Sequence, residues 1–259
     1  MSVAQREGGM GIRRLSLSGA VNFRDLGGYP TVDGRRTRWG MLFRSDQLAE
    51  LDDADLETLA GLGLRTICDL RAESEREHKP NRRLRDPHPQ VHALGFMPHN
   101  GDALLADARS GSVSVEEIEA RVREIYRRFV TDQTQAYSRL LHVLDERSVP
   151  LLIHCTSGRD RTGFASAVVM MALGVARSTI AEDYALSNQY RRDLTFQVGG
   201  AVDPAVMAAL TRSHPAYLAE AFQTIDEVWG SDDAYLCDAL ELSDERRDAL
   251  KDLLLEPAP

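Results

Sequence analysis

Two apolar runs, Val149-Pro150-Leu151-Leu152-Ile153 and Phe164 to Leu173, enclose one short polar segment, His154-Cys155-Thr156-Ser157-Gly158-Arg159-Asp160-Arg161-Thr162-Gly163. The first run predicts a short buried strand and the second a buried helix. A strand, a tight loop and a helix N-terminus together bind anions, because backbone N–H groups converge there and the helix dipole adds partial positive charge. The chain around this unit is expected to be α/β: a central, largely parallel sheet with helices on both faces, an N-terminal hairpin, a helical lid and a helical C-terminal section.

The residue types narrow the chemistry. Cys155 opens the loop and Arg161 closes it, a Cys-x5-Arg spacing. If the segment curls around one tetrahedral oxyanion, Thr156, Ser157, Gly158, Arg159, Asp160 and Arg161 surround it, and Arg161 grips two of its oxygens with a planar fork. Cys155 then lies below the central atom as a nucleophile, provided the helix terminus and nearby cations lower its pKa. Thr162 can donate its hydroxyl to the departing sulfur. Asp160, on the rim, can protonate the leaving oxygen when its carboxyl carries a proton. His154 supports the loop from the strand. The implied reaction is two displacements through a phosphocysteine, with no metal and no cofactor.

This segment resembles the signature of the protein tyrosine phosphatase superfamily. More narrowly, it is similar to the bacterial branch typified by the mycobacterial protein tyrosine phosphatase B. Three further stretches carry the likeness: Asn22-Phe23-Arg24-Asp25-Leu26-Gly27-Gly28-Tyr29, Cys68-Asp69-Leu70-Arg71 and Asp183-Tyr184-Ala185-Leu186-Ser187-Asn188. It runs from about Leu15 to about Leu254. The resemblance implies hydrolysis of phosphotyrosine in a protein or peptide, with phosphoserine, phosphothreonine and phosphoinositides as further substrates. It also implies that Asp160 is the general acid; the Trp-Pro-Asp loop of ordinary tyrosine phosphatases is absent. Where lipid-active relatives carry Lys, this loop has Arg159, which keeps the charge and changes its shape. That departure weakens the expectation for phosphoinositides. A phosphate-binding module without turnover and a rhodanese-like sulfurtransferase are the alternatives; Asp160-Arg161-Thr162-Gly163 and the long buried helix after it favour phosphate turnover.

Composition sets the limits. At 259 residues and 43% apolar, the chain can build one sizeable core. A net charge of -9 argues against nucleic acid and anionic membranes as partners. Cys68, Cys155 and Cys237 show neither CxxC spacing nor even pairing, so neither a disulfide framework nor a zinc site is expected. No signal peptide or membrane span is visible, and a thiol nucleophile suits a reducing compartment. The expected location is cytoplasmic, with signal-less export left open.

One phosphatase domain is expected over residues 15–254, with tails at 1–14 and 255–259 and a lid insertion at about 97–131. Turn signals at Gly27-Gly28, Tyr29-Pro30 and Asp33-Gly34 predict the hairpin; Asn22, Arg24 and Asp25 there are either site residues or a hydrogen-bonded turn that buttresses the sheet, and the second reading is the one taken. A strand follows over Arg38 to Ser45. Asp52 caps a helix ending near Gly61 or Gly63, and Thr66 to Leu70 is a buried strand. Asp69, at its C-terminal end, either orients Arg161 or a catalytic water, or pairs with Arg71 or Arg24; both readings stand. Glu73 to Arg85 reads as a solvated helix or loop, Val91 to Phe96 as a strand, and Met97 to Val113 as a mobile connection. Ser114 and Glu117 form a capping box before a helix with a Val115, Ile118, Val122, Ile125 and Phe129 stripe. Its Arg121, Arg123, Arg127 and Arg128 are either a solvated face or, as the resemblance implies, charge offered by a lid. A helix with a Tyr137, Leu140, Leu141 and Leu144 stripe returns the chain to the strand before Cys155. Later helices open at Thr179 (a capping box with Glu182), Asp203-Pro204, His214-Pro215, Ser231 and Ser243. Tyr184 and Asn188 either touch the loop or pack in the core, the second being the reading taken; Cys237 is read as inert and Gln197 to Ala201 as loose.

Overall fold

The computed structural model describes residues 13–191 and 202–258. Its centre is a five-stranded sheet. The strands are β1 (Arg24–Asp25), β3 (Leu42–Ser45), β4 (Thr66–Asp69), β5 (Gln90–Ala93) and β6 (Leu151–His154), in the order β1-β3-β6-β4-β5. β1 runs antiparallel to β3; β3, β6, β4 and β5 are mutually parallel. β3, β4 and β6 are buried at every residue, as strands covered on both faces must be. β5 closes the edge with mostly exposed Gln90, Val91 and Ala93.

Alternation along the strands feeds two cores. Phe43, Ile67 and Leu152 face a smaller cluster with Phe23, Leu56 and Leu59, the last two from α1 (Asp53–Ala60), whose capping box pairs Asp52 with Asp55. Leu42, Cys68, Leu151 and Ile153 face the larger cluster. Over that face lie α4 (Val115–Asp132), α5 (Thr134–Val143) and α6 (Asp160–Ala172), the last buried throughout from Arg161 onward. Two shorter helices precede them, α2 (Glu73–His78) and α3 (Gly101–Ser110). Then come α7 (Arg177–Leu186), α8 (Pro204–Thr211), α9 (Pro215–Trp229), and the short α10 (Asp232–Ala234) running into a π-helical turn, Tyr235–Ala239. α11 (Asp244–Leu254) is the last helix. Because β3, β4 and β6 are parallel, Ser45, Asp69 and His154 end side by side, and the loop after β6 opens at that shared carboxyl edge.

Several boundaries differ from the sequence reading. The C-terminal segment expected as a tail forms a strand, β7 (Leu255–Pro257), antiparallel to β2 (Arg35–Thr37). At the other end residues 1–12 lie outside the described set, but Arg13 and Arg14 belong to the fold. Arg13 accepts a bond from Asp25 N at 2.8 Å, its guanidinium lies 3.9 Å from the centre of the Tyr29 ring, and Arg14 bridges to Arg24. The hairpin is present, with Thr31 N donating to Arg35 O at 2.9 Å. The strand expected over Arg38 to Ser45 is confined to Leu42–Ser45. The connection expected over Met97 to Val113 holds α3, whose Leu104 and Ala108 are buried one turn apart. Thr179 caps nothing: α7 begins at Arg177, two residues earlier, after an Ala176 that makes no side-chain cap bond. Ser114, Asp203, His214, Ser231 and Ser243 all cap as expected, and Gly174, at a φ of 80°, takes the left-handed turn that ends α6. The loose stretch Gln197 to Ala201 lies outside the described residues.

The β2–β7 pairing makes the C-terminus part of the folding unit. Leu255 is 2% exposed, so Leu255→Ala is expected to destabilise the protein by about 2–5 kcal/mol in urea denaturation. A change near zero would return this segment to the status of a tail.

Candidate active site

Cys155 follows β6 directly and α6 starts at Asp160, so the loop turns within four residues. Its carbonyls are held from outside. Thr156 O accepts from Gln47 N at 3.1 Å. Ser157 O and Gly158 O accept from Asn22 Nδ2 at 3.2 and 3.1 Å, and Gly158 O also accepts from Arg44 Nη2 at 2.8 Å. Carbonyls turned outward leave the N–H edges of those planar peptides turned inward, an anion-binding concavity. Gly158 is required at its place. Its φ is 65°, and a Cβ there would lie 2.5 Å from Ser45 O and Asp46 N.

The donors behind the loop form one buried network. Asp183, Arg24 and Arg44 are 0% exposed. Asp183 Oδ1 accepts from Arg24 Nε at 2.9 Å and Tyr29 Oη at 2.8 Å, and Oδ2 accepts from Arg44 Nη1 at 2.5 Å. Arg24 also reaches Asn22 Oδ1 and, at 3.0 Å, Ser187 Oγ. Burial opposes the charge on Asp183, but Arg24 and Arg44 outweigh it and hold the carboxyl below its ordinary range. Two guanidiniums thus flank the Asp183 carboxylate beneath the loop, and a second buried carboxyl, that of Asp46, accepts from Asn22 N at 3.1 Å beside them. Asn22 and Arg24 thus hold the loop itself, whereas the sequence reading has the turn buttress the sheet. Asp25 holds the neighbouring turn by accepting from Gly27 N and Gly40 N, each at 2.7 Å.

The loop side chains gather under one cavity of about 580 Å³. Its floor includes Thr156, Ser157, Arg159, Asp160 and Arg161, and its walls include Met97, Leu104, Leu105, Val122 and Ile125. Cys155 is buried at the loop's base. Thr162 Oγ1 and Arg159 Nη1 are buried without a hydrogen-bond partner among the described residues. The rest of Arg159 is committed to Asp160, with Nε 3.0 Å from both carboxylate oxygens and Nη2 2.7 Å from Oδ2. Tyr126 Oη donates to Asp160 Oδ1 at 2.9 Å.

Asp69 does not touch Arg161. It takes a forked pair with Arg71, Nε to Oδ1 at 3.0 Å and Nη2 to Oδ2 at 2.7 Å, and lies 3.4 Å from His154 Nε2. Burial works against its charge, yet His154 and Arg71 hold the carboxyl far below the usual range. Of the two readings the structure takes the pairing with Arg71, and Asp69 meets the loop only through His154. Arg161 is held instead by Glu75, a residue the sequence reading left in a solvated stretch. Glu75 Oε2 accepts from Nη1 at 2.5 Å and Oε1 from Nη2 at 2.8 Å, and Thr156 Oγ1 donates to the same carboxylate. Nη1 of Arg161 also reaches Leu70 O and Phe96 O at 3.1 and 3.2 Å. Desolvation works against the charge on Arg161, but Glu75 and Cys155 raise its pKa above the ordinary value.

The arginines of α4 do not serve the cavity. Arg121 pairs with Asp107, Arg127 with Glu220 and Arg128 with Glu124, and none of the four, Arg123 included, lines the cavity. α4 instead turns Val122 and Ile125 toward it. Tyr184 bonds to Tyr126 rather than to the loop, and Asn188 bonds to Ser213. Among the described residues no group of three or more His, Cys, Asp or Glu side chains is placed to hold a metal ion, and no helix is long and apolar enough to cross a membrane.

A family model described as "Tyrosine phosphatase family" matches residues 15–256. The chain belongs to the tyrosine phosphatase family. A Cupriavidus necator protein named as a tyrosine-protein phosphatase is 34% identical over 245 residues, covering 88% of this chain and 84% of its own. The triple specificity protein phosphatase PtpB of Mycobacterium tuberculosis is 33% identical over 261 residues, covering 86% and 92%. In this phosphatase, sequence reasoning missed Glu75 and Tyr126. Glu75 left one usable signal: it lies four residues after Arg71, within reach of the same carboxyl edge of the sheet.

Two outcomes test the geometry. Asp183→Ala leaves two buried guanidiniums uncompensated and is expected to lower stability by about 3–5 kcal/mol in urea denaturation; a loss below 1 kcal/mol would show the network to be dispensable. Glu75→Ala frees the Arg161 guanidinium and is expected to reduce kcat/KM on the order of 10–100-fold at unchanged melting temperature. Unaltered kinetics would remove Glu75 from the site.

Proposed function

We propose that this phosphatase works by two in-line displacements at phosphorus with Cys155 as nucleophile. The observation that supports this most is the convergence of Arg159, Asp160, Arg161 and the inward N–H edges beneath one cavity, with Cys155 buried at the base of the same loop. In the first displacement a lone pair of the Cys155 thiolate forms the S–P bond. The P–O bond to the leaving group breaks with its electrons, and Asp160 delivers a proton to that oxygen. The loop N–H groups and Arg161 hold the equatorial oxygens. In the second displacement water attacks phosphorus, Asp160 takes its proton, and the sulfur leaves with a hydrogen bond from Thr162. Before Asp160 can donate, Arg159 must release it, and a bound phosphoryl group offers Arg159 the oxygens to do so.

The substrate we favour is phosphotyrosine in a protein or peptide, since apolar Leu104, Leu105, Val122 and Ile125 suit an aryl ring above the phosphate seat. Phosphoserine and phosphothreonine are a second tier, in keeping with the relative named for triple specificity. Phosphoinositides rank last, because Arg159 stands where lipid-active relatives carry Lys, keeping the charge but changing its shape. A reduced thiol nucleophile fits a cytoplasmic site of action.

The test is phosphate release from a phosphotyrosine peptide, a phosphoserine peptide and a phosphoinositide, each with wild type and Cys155→Ser. Release from phosphotyrosine is expected to fall by more than about 10³-fold in the variant, in line with loss of a covalent nucleophile, while phosphate binding persists. Turnover by Cys155→Ser would overturn the nucleophile assignment.

A further inference from the structure

The Tyr126 hydroxyl bonded to Asp160 belongs to a chain of hydroxyls that the reaction described above does not use. Tyr126 donates to Asp160 Oδ1, and the Tyr184 hydroxyl lies 2.7 Å from that of Tyr126. An ionised carboxylate only accepts, so the Tyr126 proton points at Asp160, and the Tyr184 proton must then point at Tyr126. Burial alone does not compel such pairing in this core. Tyr137 and Tyr235 are 0% exposed and their hydroxyls take no partner among the described residues. The backbone also makes room for it. A Cβ at Gly163, one turn into α6, would lie 2.9 Å from the Tyr184 ring, so only glycine there lets that ring reach its place.

We propose that Tyr126, oriented by Tyr184, is a positioning residue for the acid, fixing Asp160 so that Oδ2 carries the proton to the leaving oxygen; this rests on Asp160 being the general acid. Oδ1 is occupied by the Tyr126 donor, and a carboxyl oxygen that accepts such a bond is the carbonyl oxygen of the protonated form. Among the described residues Oδ2 is bonded by Arg159 alone, through Nε, which it shares with Oδ1, and Nη2. When a phosphoryl group draws Arg159 away, Oδ2 becomes the oxygen free to hold a proton. In the transfer the Oδ2–H bond breaks, the proton passes to the leaving oxygen, and both carboxylate oxygens become acceptors. The same helix supplies the anchor and the cavity wall: Tyr126 follows Ile125 on α4, whose stripe is buried against neighbouring elements. The acid is therefore tied to the wall over the substrate.

Tyr126→Phe removes one hydroxyl and keeps the ring that meets Phe129, Tyr184 and Tyr217. kcat and KM are measured for phosphotyrosine, whose leaving group needs a proton, and for 2,4-dinitrophenyl phosphate, whose leaving group does not. The expected result is a loss in kcat of about tenfold for phosphotyrosine and less than about twofold for the dinitrophenyl ester, a fraction of what general-acid catalysis supplies. Tyr184→Phe should show the same selectivity at smaller amplitude. Asp160→Asn should show it at larger amplitude, and adding Tyr126→Phe to Asp160→Asn should cost nothing further. Equal losses on both esters, or no selective loss in either tyrosine variant while Asp160→Asn remains selective, would overturn this inference and leave the acid assignment standing. An Asp160→Asn variant without selectivity would overturn the acid assignment, and the inference with it.

Discussion

Asp183 is the residue on which the site depends. It stands on α7 and binds side chains from β1 and β3, so one carboxylate ties a helix to two strands. Each bond has a consequence further out. Arg44, fixed at one nitrogen by Asp183, presents another to Gly158 O, and that bond sets the direction of a loop peptide. Arg24, fixed likewise, holds Asn22, which takes the next carbonyl along. The burial of three charged groups is unfavourable by itself and is tolerated because every charge meets a partner at short range. What the arrangement secures is a concavity whose peptide directions are set by side chains from two strands and a helix.

The parts of the site that lie close together along the chain were legible in the sequence. Cys155, Asp160 and Arg161 fall inside one turn of chain, and their types and spacing already imply a single tetrahedral ligand. Sheet and helices were legible for a similar reason, since continuous apolar runs mark strands covered on both faces. Less legible was anything set by contacts between distant segments. Glu75 sits in a run of charges indistinguishable from a solvated helix, and only the fold brings it to Arg161. Tyr126 stands beside the apolar stripe of α4, and its hydroxyl finds meaning only once α6 and α7 are placed. β7 has three residues, too few for a periodic signal, and its partner lies at the opposite end of the chain. The arginines of α4 left two readings open because charge on a helix face says nothing about whether nearby carboxylates will take it.

Asp69 shows how a residue at the right edge can still do indirect work. Ligands in open α/β sheets collect at the carboxyl ends of the strands, and Asp69 is there. Its two oxygens, however, are filled by Arg71 and faced by His154, so it supports the base of the loop rather than its mouth. Cys68, next to it, is buried in the main core, and burial, then the neighbouring Asp69 charge, push its thiol up to about 12. Two adjacent residues on one strand thus separate completely: one side chain faces the charge network, the other the apolar layer, as alternation requires.

The contiguity of the loop has one more implication. The loop peptides whose N–H edges are proposed to hold the phosphoryl oxygens are fixed by bonds from Asn22, Arg44 and Gln47, all groups of the protein itself. A seat shaped by the protein's own bonds matches inorganic phosphate as well as it matches a phosphate ester. Recognition by the loop therefore cannot tell product from substrate, and retention of product is the natural counterpart of its rigidity. That distinction falls to the apolar walls above, which can hold an organic group and offer nothing to a free ion.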